Sequence, residues 1–170
     1  MEELRLGYRD KNNIYFLSSF LNKHLSYNSI FLCIGTDKCI SDSLGPIVGD
    51  MLSKEISGLY IYGTLKYPIH AINLLENLEY IKKKHPYCNI VAVDACIGDK
   101  ESIGKISAKK APIYPGKGVG KNLPAVGDLS ITGIVDTYDG LKLNSIRLGF
   151  IFEMAEVIVH SIKAALKLKY

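Results

Sequence analysis

Two aspartates stand at positions where this sequence could carry out acid–base chemistry. Asp94 follows the apolar run at residues 90–93, at the end of a predicted strand. Asp42 lies in the turn GTDKCISDSLGP, between an earlier predicted strand and a predicted helix. Ligands of open α/β sheets bind outside the carboxyl ends of the strands. We therefore expect both carboxylates at one edge of a sheet.

Two chemistries fit such a pair. If Asp42 and Asp94 face each other, their repulsion raises the pKa of one acid and lowers the pKa of the other. The ionised acid could then activate a water molecule while the protonated acid polarises an amide carbonyl, which would hydrolyse the amide. Two carboxylates could equally hold a divalent metal ion. Purely structural interpretations are an N-cap for Asp42 and a hydrogen bond to a neighbouring loop for Asp94.

A glycine-rich loop, YPGKGVGKNLPAVGD, forms a third candidate for the site. Gly116, Gly118 and Gly120 would let the backbone approach a substrate closely, and its N–H groups could line an oxyanion. The loop is not a phosphate-binding loop of the usual pattern, because Asn122 stands where Ser or Thr is required. The alternative is a surface loop with ordinary turns, but loops of this length are commonly functional.

Histidine and cysteine give weaker signals. The 4 histidines show no metal-ligand spacing, and His70 is left without an assigned role. Cys96 would be a nucleophile only if His70 came near it, so we set this interpretation aside. The 4 cysteines form no CxxC pair, which argues against a zinc site or a disulfide framework.

The order of the predicted elements indicates the fold that positions these residues. Helical spacing of apolar residues predicts helices, and short apolar runs predict strands. The helices cover residues 12–25, 42–56, 69–84 and 145–168, and the strands cover residues 29–35, 60–63, 88–95, 102–107 and 129–135. This alternation predicts an α/β three-layer sandwich with a mostly parallel central sheet and helices on both faces.

Composition narrows the class of protein. The chain has 170 residues, of which 48% are hydrophobic, so we expect one domain, residues 1–170, with its own core. No apolar stretch approaches the ~20 residues of a membrane span. The charged first residues predict no secretory signal, so we expect a cytoplasmic protein. The lysines behind the net charge of +4 are scattered, and we expect no direct nucleic-acid binding.

Four motifs in a fixed order carry a family resemblance. The segments CIGTDKCISDSLGP, YGTLKYPIHAIN, VAVDACIG and PGKGVGKNLPAVGDLSITGIV resemble the YyaC family of sporulation proteins over residues 30–135. That family is similar to the spore germination protease and, more distantly, to the hydrogenase maturation endopeptidases. The resemblance implies a phosphorylase/hydrolase-like α/β fold.

The resemblance also implies roles for particular residues. It makes Asp42 and Asp94 the catalytic acids of an endopeptidase, with protein or peptide substrates such as small acid-soluble spore proteins, in the sporulating cell or the spore interior. The maturation endopeptidases imply instead a divalent metal at the same two acids, held together with a His. Tyr114 stands where the germination protease has a His before Pro-Gly, which leaves open a catalytically inactive binding protein on the same scaffold.

Overall fold

The computed structural model describes residues 2–116, 123–137 and 146–167. These residues form a central sheet and the helices that pack on it. The strands are β1 (Glu3–Gly7), β2 (Ser29–Cys33), β3 (Ile61–Tyr62), β4 (Asn89–Gly98), β5 (Lys105–Lys109) and β6 (Leu129–Thr137). The helices are α1 (Asn13–His24), α2 (Leu44–Glu55), α3 (Leu74–Lys84) and α4 (Leu148–Lys167).

The sheet has six strands in the order β1-β5-β6-β4-β2-β3. Strands β3, β2, β4 and β6 run parallel to one another. Strand β5 runs antiparallel to both β6 and β1. Every residue of β2 is buried, and continuous apolar strands of this kind are typical of a sheet covered on both faces. The predicted α/β fold with a mostly parallel sheet is confirmed.

Helices pack on both faces of the sheet and make three layers. On one face, here called the three-helix face, side chains of α1, α2 and α4 pack on alternate strand residues, among them Leu17, Leu44, Met154, Phe31, Val91 and Ile131. On the opposite face, here called the α3 face, α3 packs mainly on β2 and β4 through Leu74, Leu78, Ile81, Ile30, Leu32 and Ala92. Successive strand residues point to opposite faces, so one strand serves both layers.

The structure corrects the predicted start of α3. Residues 69–73 were predicted as helix, but Ile69 forms an isolated parallel bridge with Ile34 at the end of β2. The backbone N–H of Gly35 donates to the carbonyl oxygen of Ile69 at 2.7 Å. Residue 69 therefore extends the sheet edge, and the helix begins only at Leu74.

Other boundaries also differ. Strand β1 was not predicted, because its sequence ELRLG is short and charged and its pairing with β5 is a long-range contact. Asp42 lies in a 3-10 turn, Ile40–Asp42, and the helix after it begins at Leu44 with Ser43 as its N-cap residue. The N-cap interpretation of Asp42 is therefore wrong. Within the described ranges, no helix is both long enough and apolar enough to cross a membrane.

Candidate active site

Asp94 lies on β4 at the point where the strand leaves the core. Ile90 and Ala92 point into the cluster under α3, and Asp94 continues the same alternation, so it faces the α3 side. Its residue is half-buried, and burial raises the pKa of its carboxyl group well above the usual range. The negative charge of Asp42 raises this pKa further, whereas the backbone N–H of Ala95 lowers it. Asp94 therefore keeps its proton to a higher pH than an ordinary aspartate.

Asp42 is placed by the turn between β2 and α2. The backbone N–H of Thr36 donates to the carbonyl oxygen of Asp42 at 2.9 Å, which folds the turn back onto the end of β2. Gly35 makes this possible: it has a φ of +136°, and a Cβ at this position would lie 2.0 Å from the carbonyl oxygen of Asp42. The turn therefore depends on the absence of a side chain at residue 35.

The Asp42 carboxylate lies close enough to Asp94 for its negative charge to raise the pKa of the Asp94 carboxyl group. Burial raises the pKa of Asp42 as well, but the charge of His70 and a hydrogen bond from the backbone of Thr36 lower it. The expected pattern of one raised and one lowered pKa is thus replaced by two raised values, because burial outweighs the other influences. Asp94 lacks the counteracting histidine, so Asp42 is the acid of the pair that ionises more readily.

His70 is the residue that the sequence left unassigned. The bridge at Ile69 brings it beside the end of β2, and its backbone N–H donates to Oδ1 of Asn73 at 2.8 Å. Nδ2 of Asn73 donates in turn to the carbonyl oxygen of Pro68 at 3.1 Å, which fixes the segment on both sides of His70. The backbone N–H of Ile72 lies 3.4 Å from Nδ1 of His70.

A polar row crosses the sheet beside Asp94 on the α3 face. Asp94 pairs with Thr132 on β6, Thr132 with Ser107 on β5, and Ser107 with Arg5 on β1. Thr132, Ser107 and Arg5 line a cavity of about 290 Å³, which Cys96 and Lys109 also line. The charged groups are partly paired, because Glu3 lies 3.4 Å from Arg5 and 3.3 Å from Lys109. We call this cavity the polar cleft.

Cys96 is not arranged as a nucleophile. Burial raises the pKa of its thiol, and the hydrogen bond from Thr132 and the charges of Arg5 and Lys109 lower it only in part. A thiol with a raised pKa is rarely a thiolate at neutral pH. Asp37, the other acid of the β2–α2 turn, is exposed. It therefore provides a natural control for Asp42.

The glycine loop is only partly described. Gly116 has a φ of +78° and follows the buried Pro115, whereas Gly118 and Gly120 lie outside the described residues. Antiparallel hydrogen bonds of 2.9 and 2.8 Å join Ile113 and Val126 and close the base of the loop. Val126 packs in the same cluster as Ala92, two residues before Asp94 on the same face. The base of the loop is therefore anchored close to the acid pair.

A metal centre at Asp42 and Asp94 would need further protein ligands or water. Among the described residues, no group of three or more His, Cys, Asp and Glu side chains is arranged so that it could hold a metal ion. His70 influences Asp42 electrostatically without completing such a group. The donor set of the described site therefore does not fit a structural metal cage.

Fold and site together define a class: a three-layer α/β domain with interacting, half-buried carboxyl groups at the carboxyl ends of parallel strands. Within it, the chain belongs to the family described as "Protein of unknown function (DUF1256)", whose model matches residues 5–161. The chain is also 39% identical over 150 residues to "Uncharacterized protein YyaC" of Bacillus subtilis (strain 168), which covers 86% of this chain and 73% of that protein. The predicted resemblance to YyaC is confirmed.

Proposed function

We propose that the protein is a peptidase that hydrolyses peptide bonds with Asp42 and Asp94. The observation that carries the proposal is the unequal pair: both acids are half-buried at one sheet edge, and only Asp42 has a histidine to favour its ionised form. Unequal carboxyl groups of this kind divide the roles of base and acid between them.

In the proposed reaction, ionised Asp42 takes a proton from a water molecule while the water oxygen bonds to the substrate carbonyl carbon. Protonated Asp94 donates a hydrogen bond to the carbonyl oxygen, on which negative charge develops. The tetrahedral intermediate then collapses, the C–N bond breaks, and the leaving nitrogen takes the proton from Asp42. One water molecule is consumed, and a carboxylic acid and an amine are released. His70 favours the ionised state of Asp42 through its charge.

The substrates we propose are proteins, with small acid-soluble spore proteins as the first to test. The cleavage would take place during sporulation or germination. This part of the proposal rests on the resemblance of the four sequence motifs to the YyaC family, which is in turn similar to the spore germination protease. The glycines of the loop, Gly116, Gly118 and Gly120, would shape the substrate cleft. The packing of Val126, at the base of the loop, in the same cluster as Ala92 of β4 supports that role.

The experiment is a cleavage assay with purified protein, using small acid-soluble spore proteins and a chemically unfolded protein, with products identified by mass spectrometry. Asp42→Asn and Asp94→Asn should each abolish specific cuts. Asp37→Asn is the matched control, because Asp37 lies in the same turn but is exposed. Cuts that persist in Asp94→Asn would show a contaminating protease or another mechanism and would overturn the proposal.

A second candidate is a binding protein that keeps the scaffold without catalysis. Tyr114 in place of a histidine before Pro115-Gly116 favours it. It predicts binding of the same substrates without cleavage at any pH, with or without added divalent metal. The metal-dependent maturation protease remains a further alternative, and cleavage that appears only after metal addition would support it.

A further inference from the structure

A second cavity lies on the other side of the acid pair from the polar cleft. It has a volume of about 360 Å³, and we call it the tyrosine groove, after the residues that line it: Tyr62, Tyr67, Pro68, Ile69, Asn73 and Asn77. Strand order places it at the β3 edge of the sheet, beyond β2, whereas the polar cleft lies over β6, β5 and β1. The acid pair, on β4 and just after β2, lies between the two cavities.

The wall of the groove is a closed turn. The backbone N–H of Thr64 donates to the carbonyl oxygen of Tyr67 at 3.1 Å, and the backbone N–H of Tyr67 donates to Oγ1 of Thr64 at 3.2 Å. On the floor, Tyr62 is held by a 2.7 Å hydrogen bond between its hydroxyl and Nε2 of His85. A groove with fixed walls costs little ordering when a ligand binds.

The groove and its rim present apolar surface to solvent. Tyr67 is 69% exposed and Ile72, next to the groove, is 82% exposed. Ile69, on the floor, is buried and belongs to the cluster under α3. Clustered exposed apolar groups beside a preformed concavity are typical of a binding site for apolar ligand groups.

The groove lies close to the turn that holds Asp42. Ile69 lines the groove, and the next residue, His70, is the one whose charge acts on Asp42. Asn73 lines the groove with the same side chain that holds the backbone of His70. The backbone N–H of Gly35 donates to the carbonyl oxygen of Ile69, and the backbone N–H of Thr36 donates to that of Asp42. A ligand in the groove would therefore lie beside the turn that holds Asp42. Because β3 is at the edge of the sheet, an extended chain can enter from solvent without displacing another strand.

We propose that the tyrosine groove is the specificity site of the enzyme and that it takes a bulky apolar side chain of an extended protein segment, close to the bond that is cleaved. The statement that the bound segment is cleaved rests on the proposed function. The binding of an apolar side chain in the groove does not. The substrate class is therefore unfolded or extended polypeptide that carries bulky apolar side chains such as leucine. The polar cleft on the other side of Asp94 would receive the polar continuation of the same segment.

The test measures binding separately from cleavage. The probes are two short synthetic peptides, identical except that a central leucine in one is serine in the other. Each is titrated into isotope-labelled Asp94→Asn protein, and backbone amide shifts are followed by NMR. The leucine peptide should shift amides between residues 61 and 77 and bind roughly tenfold or more tightly than the serine peptide, as expected for burial of one leucine side chain.

Tyr67→Ala should weaken binding of the leucine peptide about tenfold and leave the serine peptide unaffected. Tyr87→Ala is the matched control, because Tyr87 is 88% exposed and lies outside the groove. Equal binding of both peptides, shifts confined to the polar cleft, or no shifts at all would each overturn the inference.

The two proposals fail in different ways. If the wild-type protein cleaves protein substrates, yet Tyr67→Ala leaves its preference between the two peptides unchanged, the groove inference is wrong and the peptidase stands. If the leucine peptide binds in the groove but no substrate is cleaved, the groove inference stands as a peptide-binding site and the peptidase is wrong.

Discussion

The two faces of the sheet differ in what covers them. On the three-helix face, α1, α2 and α4 bury Ile131 and its neighbours completely. On the α3 face, the apolar cluster around α3 involves β2 and β4, and the strands beyond carry the polar residues Thr132, Ser107 and Arg5. One face therefore supplies most of the packing, while the other leaves room for two cavities and the acid pair. Most of the packing and the proposed chemistry therefore lie on opposite sides of the same strands.

Because the acid pair lies on the α3 face, away from most of the packing, a substitution there should change activity far more than stability. Asp94→Asn should lower kcat/KM for protein cleavage by roughly 10²–10⁴-fold, the usual contribution of a positioned acid or base. The melting temperature should stay the same or rise, because the substitution removes a carboxyl group whose ionised form is disfavoured by burial. The checks are steady-state kinetics and thermal unfolding of the same preparation. A parallel loss of activity and stability would mean that Asp94 is structural.

Two adjacent residues on β6 allow the contributions of the two faces to stability to be measured separately. Ile131→Ala should cost about 2–5 kcal/mol of unfolding free energy, because it leaves a void on the three-helix face. Thr132→Ala, one residue further and on the α3 face, should cost about 1 kcal/mol, the net value of a hydrogen bond. Urea unfolding measures both. Equal losses would show that the two faces contribute equally to packing.

The pH dependence of stability should come mainly from the α3 face. The pKa of Asp94 is raised in the folded protein, so the folded state binds its proton more tightly than the unfolded state. This contribution is complete below the ordinary aspartate pKa of about 3.9 and is lost as pH rises through the higher folded pKa. As pH rises from about 3.9 through the folded-state pKa of Asp94, wild type should therefore lose stability relative to Asp94→Asn. Urea midpoints measured at successive pH values would show this loss. A constant difference between the two proteins would contradict it.

The smallest expected effect concerns His70. His70→Gln removes the charge that lowers the pKa of Asp42, so that pKa should rise. We expect the acidic limb of the pH–rate profile to move to higher pH, with a loss of roughly tenfold in kcat/KM near neutrality, smaller than a full acid–base contribution. His160→Gln, on the exposed side of α4, is the control. If the acidic limb of the pH–rate profile did not move, His70 would have no influence on the ionisation of Asp42 in the reaction.

Much of the scaffold could be predicted from sequence, because strands buried on both faces have an unmistakable composition. The apolar runs of β2, β4 and β6 and the helical spacing of α1, α2 and α4 give elements close to those observed. Strand β1 could not be predicted, since only its partner β5 makes it a strand. Sequence patterns report local preferences, and this pairing joins residues about a hundred positions apart.

The site was predictable in part. The proximity of Asp42 and Asp94 was predictable, because acids that follow parallel strands meet at the carboxyl ends of those strands, and the charge of Asp42 does act on Asp94. Their catalytic roles stay a prediction. His70 was missed as a partner because the apolar spacing that starts at Ile69 continues the pattern of α3. Only the tertiary bridge between Ile69 and Ile34 joins that residue to the sheet and brings His70 close enough for its charge to act on Asp42. The glycines at residues 118 and 120 stay a prediction.

Gly35 has no functional group, yet its geometry bears on how the site would respond to random mutation. Any side chain at this position would collide with the backbone of Asp42 and strain a positive φ. A saturation screen scored by activity would therefore rank residue 35 among the least tolerant positions, beside the two aspartates themselves. If the activity on this scaffold changed during evolution, the side chain of Asp42 would be replaced more readily than Gly35, which positions it.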